Sequence, residues 1–118
     1  MNDSTLSRYD RTADAAAAQV IRRYSTSFSM ATQALDRATR RDIRNLYAVV
    51  RIADEIVDGA AAQANECPET ALDAYEELVL HAPHHRFHTD PVLHAWANTH
   101  RRCGISSEHI RAFFASMR

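Results

Sequence analysis

The sequence predicts an all-α protein built as one small domain. Three features predict it. Glycine occurs twice and proline three times in 118 residues, too few turn formers for a strand-rich chain. Alanine and other strong helix formers are abundant. Apolar residues recur at helical spacing, and no segment shows the strict alternation of a strand. A length of 118 residues allows one core at most, and shares of 46% hydrophobic and 25% charged residues fit a globular chain rather than a disordered one.

Six segments read as helical. The first is placed at about residues 12–24, through the Ala15–Ala18 run, with Val20, Ile21 and Tyr24 on one side. Ser25-Thr26-Ser27 should break it, because short hydroxyl side chains compete for backbone hydrogen bonds and favour caps. A short segment from Phe28 to Leu35 follows. The longest element is predicted over Arg37–Asp58, with Asp36 as N-cap and Gly59 as its stop; at helical rise it extends about 33 Å. Pro68 suits the first position of the next helix, to about His81, where Leu72, Tyr75 and Val79 share a face. Asp90-Pro91 opens another, with Leu93, Trp96, Ala97 and His100 in register and Gly104 ending it. Ser106 or Ser107 caps the last, which carries Ile110, Phe113, Phe114 and Met117. That apolar stripe still runs at Arg118, so the expectation is that further chain would cover it.

Charge and composition exclude some partners. Fourteen basic against fifteen acidic residues give a net charge of -1, with no global attraction to nucleic acid or anionic lipid. Every basic residue is arginine, which fits either codon bias or a use for bidentate anion contacts. Apolar runs are too short to span a membrane, Met1-Asn2-Asp3-Ser4 lacks the features of a secretory leader, and Cys67 and Cys103 cannot build a disulfide scaffold. The expected location is the cytoplasm.

The long helix carries the chemistry. With Tyr47 at zero and about 100° per residue, Arg51 falls near 40°, Asp54 near −20° and Asp58 near 20°. Ile43, Leu46, Val50, Ala53 and Val57 form an apolar arc beside this stripe, and Ala48, Val49, Ile52 and Ile56 fill much of the far side. The helix should therefore be buried nearly all round, with an ionic stripe embedded in it. Two carboxylates one turn apart repel mildly; a hard divalent cation between them would reverse that sign. Arg51 offers a fork for a phosphate. The same spacing equally suits a solvated salt bridge from Arg51 to Asp54 or Glu55.

Tyr24-Ser25-Thr26-Ser27-Phe28, followed by Leu46-Tyr47-Ala48-Val49-Val50-Arg51-Ile52-Ala53-Asp54-Glu55-Ile56-Val57-Asp58, resembles the squalene/phytoene synthase family in order and separation. Its pattern is S-x-S-F and then L-Y-A-x-x-R-x-x-D-[DE]-x-x-D. Pro91-Val92-Leu93 and Phe113–Met117 resemble later segments. The resemblance implies part of the isoprenoid-synthase helical fold, with residues 1–118 as the N-terminal portion of one domain. It implies that Asp54 and Asp58 hold Mg²⁺, with Mn²⁺ as an alternative, and that Arg51 contacts the diphosphate. Ser25, Ser27 and Phe28 would close over that group, with Tyr24 as a weaker member of the same wall, and Tyr47 would line the cavity near the reacting carbons. Glu55 stands where Asp is usual.

The implied reaction joins two prenyl diphosphates head to head, two geranylgeranyl diphosphates giving phytoene through a cyclopropyl diphosphate. The alternatives are squalene or dehydrosqualene from farnesyl diphosphate, with NADPH needed only for squalene, or a helical binding module without catalysis. Peripheral association with the inner face of a membrane would suit an apolar product. The family's second D-x-x-x-D helix has no counterpart here; Asp73, Glu76 and Glu77 come nearest, on an ordinary amphipathic helix. The chain alone is thus expected to be inactive. His81, His84, His85 and His88 have metal-like spacing, but Pro83 and Pro91 argue for a loop.

Overall fold

The computed structural model describes residues 4–118; Met1, Asn2 and Asp3, on which the leader expectation partly rests, lie outside them. The described residues form α1 (Thr5–Tyr24), α2 (Thr26–Ala31), α3 (Arg37–Asp58), α4 (Ala60–Gln63), α5 (Pro68–His81), α6 (Pro91–Cys103) and α7 (Ser107–Met117), with no strand among them. Single 3-10 turns follow α2 at Thr32–Ala34 and α5 at Ala82–His84. The caps are those the sequence offered. Asp36, Asp90 and Ser106 each accept a backbone N–H in the first turn of α3, α6 and α7. Pro68 opens α5, and Gly104 ends α6 in the left-handed conformation at φ 67°.

Helix α1 begins seven residues earlier than the sequence reading placed it. Ser4 caps it, accepting from the Ser7 N–H, and the polar turns at 5–11 are held by contacts far away in sequence. The Tyr9 hydroxyl donates to the His88 carbonyl at 2.7 Å. Asp10 is gripped by Arg86 at 2.9 Å and by His94 Nε2 at 2.7 Å. Since His94 Nδ1 accepts from the His88 N–H, its Nε2 carries the proton and donates to Asp10. The short α4, one turn after Gly59, was not foreseen either.

Helices α1, α3 and α6 pack on one another, and α5 and α7 close the core from the side. Ala13, Ala17, Ala48, Ala53, Ala95 and Ala97 are fully buried, which lets the helix axes approach closely. Trp96 fills the centre at 1% exposure and donates its Nε1–H to the Val79 carbonyl at 3.0 Å. Phe114 is completely buried, edge-on to Tyr75 at 6.1 Å, while Phe113 and Met117 pack partly against the core. Within the described residues the terminal stripe is buried at Ile110 and Phe114 and half-exposed at Phe113 and Met117. The α3 expectation changes. Only Asn45, Ala48, Val49 and Ala53 are buried on it, and Leu46 is 38% exposed. The helix is covered on one side and half-covered along the stripe and the apolar arc, where Ala53 is buried, Ile43, Val50 and Val57 are half-buried and Leu46 is exposed.

A polar network crosses this interior. Asn45 Nδ2 donates to Asp14 Oδ1 and Thr99 Oγ1, both at 3.0 Å. Thr99 donates to Asp42 at 2.8 Å, and Arg102 clamps the same oxygen at 2.6 Å. Burial alone would raise the Asp42 carboxyl, but hydrogen bonds from Arg102, Thr99 and Arg41 outweigh it and hold it at about 2. Asp10, bonded first by Arg86, lies well below the ordinary carboxylate range as well. Both bind their proton less readily folded than unfolded, so their stabilisation is complete above about pH 4 and fades as pH falls toward 2. Asp42 alone contributes about 2 kcal/mol across that window. Urea midpoints measured between pH 7 and pH 2.5 should drop steeply below pH 4, and Asp42→Asn should flatten the drop. An unchanged slope in the variant would remove Asp42 as its source.

Candidate functional site

The site is built on the open face of α3 and the joint between α1 and α2. Tyr47, Arg51 and Asp54 are half-buried and Asp58 is exposed, in the order along the helix that the periodicity predicts. Tyr24, the last residue of α1, lies beneath the Arg51 guanidinium, whose Cζ stands 4.7 Å from the ring centroid. Such stacking favours a cation with a planar, weakly hydrated head. Phe28 on α2 meets Tyr47, ring centroids 5.5 Å apart and planes at 45°. Ser25 ends α1 and caps α2, its hydroxyl accepting from the Phe28 N–H at 3.3 Å; Ser27 is exposed. The structure therefore gathers Tyr24, Phe28, Tyr47 and Arg51 beside the two aspartates. It brings Ser25 there as a cap and leaves Ser27 at the rim.

Arg51 is the electrostatic centre of this face. One terminal nitrogen donates to Glu55 Oε2, and the other lies 3.7 Å from Asp54 Oδ2. The bond from Arg51 pulls the Glu55 carboxyl below its usual range, and the same bond pushes the guanidinium up. Both are ionised at any physiological pH. Arg51 Nε is buried with no protein partner, so its donor set is incomplete. Buried donors of this kind are costly unless matched, and an anion entering the face would match it. The salt-bridge reading of the sequence is realised, through Glu55 more than Asp54, whose carboxylate stays 3.7 Å from the guanidinium.

Glu55 is the main partner of Arg51, the pairing that the salt-bridge alternative of the sequence allowed. The i,i+4 spacing carried the signal. Its carboxylate also explains Gly59: a Cβ there would lie 2.7 Å from Glu55 Oε1, so a side chain at 59 would displace the acid that orients Arg51.

Asp54 and Asp58 supply hard oxygen donors one turn apart. Among the described residues no group of three or more His, Cys, Asp or Glu converges as a metal cage. The pair fits Mg²⁺ rather than Zn²⁺ or Ca²⁺, because Mg²⁺ is commonly held by one or two carboxylates together with waters and substrate phosphates. The histidine run does not compete. Helix α5 ends at His81, and His88 Nε2 lies 2.7 Å from the Ala82 carbonyl oxygen within a loop. Asp73 and Glu76 are bonded by Arg118 at 2.6 and 2.5 Å. No described helix is long and apolar enough to cross a membrane.

A family model described as squalene/phytoene synthase matches residues 21–118, a span that begins just before Tyr24 and takes in every residue of this face. No curated protein and no solved structure gave a match.

Proposed function

The chain belongs to the squalene/phytoene synthase family, and on that premise we propose that the open face of α3 binds the diphosphate of a prenyl donor and assists its departure. The family's reaction is the head-to-head condensation of prenyl diphosphates. The observation that carries the reading is the convergence at Arg51: a guanidinium stacked on Tyr24, oriented by Glu55, with an unmatched buried N–H and two aspartates further along the same face.

In this reading Arg51 donates to the diphosphate oxygens and stabilises charge as it develops on the leaving group. Asp54 and Asp58 would hold Mg²⁺, which supplies Lewis-acid neutralisation of the same group. The half-buried apolar arc of Ile43, Val50 and Val57, with Leu46 exposed among them, lies beside the stripe and is where the prenyl tail would lie. Tyr24, Phe28 and Tyr47 shield the allylic carbon from water, as an ionising substrate requires. The substrate we propose is geranylgeranyl diphosphate, with phytoene as the product of the complete reaction.

Calorimetric titration of the chain with geranylgeranyl diphosphate tests this reading. Binding should require Mg²⁺ and should weaken tenfold or more in Asp54→Asn. Affinity that is the same in EDTA, or untouched in the variant, would overturn the role of the aspartates.

A further inference from the structure

The stripe on α3 does not begin at Tyr47. Extended toward the N-terminus at about 100° per residue, it takes in Arg44 near 60°, Arg40 near 20° and Arg37 near 80°. These residues line a groove of about 380 Å³ between α1 and the start of α3, walled by Ala15, Ala18 and Gln33. Arg22, from the last turn of α1, adds its field at Arg44.

The hydrogen bonding here differs from that of the ion-paired arginines, though Arg101 likewise donates to neutral acceptors, the Pro83 and His85 carbonyls and Asn98 Oδ1. Arg51, Arg86, Arg102 and Arg118 all reach carboxylates. By contrast, Arg40 donates to Gln33 Oε1 at 3.0 Å, Arg44 to Thr32 Oγ1 at 3.2 Å and Arg22 to Gln19 Oε1 at 2.9 Å. All three acceptors are neutral. Arg41 is satisfied by Asp42. Asp14, the one acid lining the groove, is tied to Asn45, and burial pushes its carboxyl up. Burial and the neighbouring Arg40 and Arg22 together depress Arg44, so the cations of this groove repel one another, and the hydrogen bonds of Arg40, Arg44 and Arg22 go to neutral groups rather than to a carboxylate.

We propose that this groove is a second anion site, which takes a phosphate or diphosphate group by bidentate contacts from Arg40 and Arg44, with Arg37 and Arg22 at its rim. The site is distinct from the Arg51 face: Arg40 lies about three turns away along α3, and its chemistry needs no metal. Arginine forks match phosphate geometry, and several cations in one concavity raise the local concentration of anions. The group could be carried by a soluble molecule or presented as a lipid headgroup.

Two probes distinguish these sources. Inorganic diphosphate titrated into the chain in EDTA, followed by calorimetry, should bind saturably, weaken with added salt and lose at least tenfold in affinity in Arg40→Gln/Arg44→Gln. Asp54→Asn should bind as the parent does, which separates this site from the Mg²⁺-dependent one. Vesicles of phosphatidic acid in phosphatidylcholine, tested by co-sedimentation, form the second arm. Retention on them that the double variant loses, without binding of inorganic diphosphate, assigns the groove to headgroups. Binding in neither arm, or binding that the double variant keeps while its helical circular dichroism is unchanged, would overturn the proposal.

Discussion

Trp96→Ala is expected to cost about 3–5 kcal/mol of folding stability, against a total of about 5–15 kcal/mol for a domain of this size. Trp96 is the largest fully buried side chain and sits where α6 meets α5 and α3, so its removal leaves a cavity that several helices would have to collapse together to fill. The indole N–H also satisfies the Val79 carbonyl at 3.0 Å near the end of α5, and that acceptor would be left dry. Trp96→Phe separates the two contributions: it keeps most of the volume and loses the hydrogen bond, for about 1 kcal/mol from the bond. Urea unfolding followed by far-ultraviolet circular dichroism reads both. A loss below about 1 kcal/mol for the alanine variant would mean that α5, α6 and α7 do not unfold as one unit with the rest.

Arg51→Ala should weaken diphosphate binding about 10- to 150-fold, the equivalent of a charge-assisted hydrogen bond of about 1.5–3 kcal/mol. Stability should hardly move, because the pair with Glu55 is partly solvated and pairs of that kind contribute under about 1 kcal/mol. Arg51→Lys keeps the charge but loses the fork and the fit over Tyr24, so it should recover only part of the affinity. Titration calorimetry beside thermal melts of the three proteins separates the roles. If binding is retained in Arg51→Ala while the melting temperature falls, Arg51 serves the helix and not the ligand.

Much of this was legible in the sequence because it is local. Caps at Asp36, Asp90 and Ser106 and the breaks at Gly59, Pro68 and Gly104 set helix boundaries through interactions three or four residues long. The Tyr47–Arg51–Asp54–Asp58 face follows from helical rise alone. What was hidden depends on contacts distant along the chain. The early start of α1 rests on Tyr9 and Asp10 meeting the His88–His94 segment, some eighty residues on, and no periodicity in residues 5–11 signals it. The burial of α3 was overestimated because an apolar arc reads the same whether a neighbour covers it or not. Tyr24 under Arg51 and Phe28 against Tyr47 join three helices; the spacing of residues said nothing of them, and only the family resemblance pointed there.

Ser25 is the whole connection between α1 and α2. Its backbone N–H closes α1 on the Ile21 carbonyl at 2.8 Å, and its hydroxyl opens α2. A joint of one residue has no slack, so the two dihedral angles of Ser25 alone set the angle between α1 and α2. Tyr24 and Phe28 flank that pivot like the jaws of a tong, one closing on Arg51 and the other on Tyr47. Helix α1 is pinned at its far end by Asp10 and His94, and the six-residue α2, anchored by buried Ser29, is too short to keep its helical form without its cap. Inserting even one residue at this joint would therefore disengage the jaws while leaving every helix of the core intact.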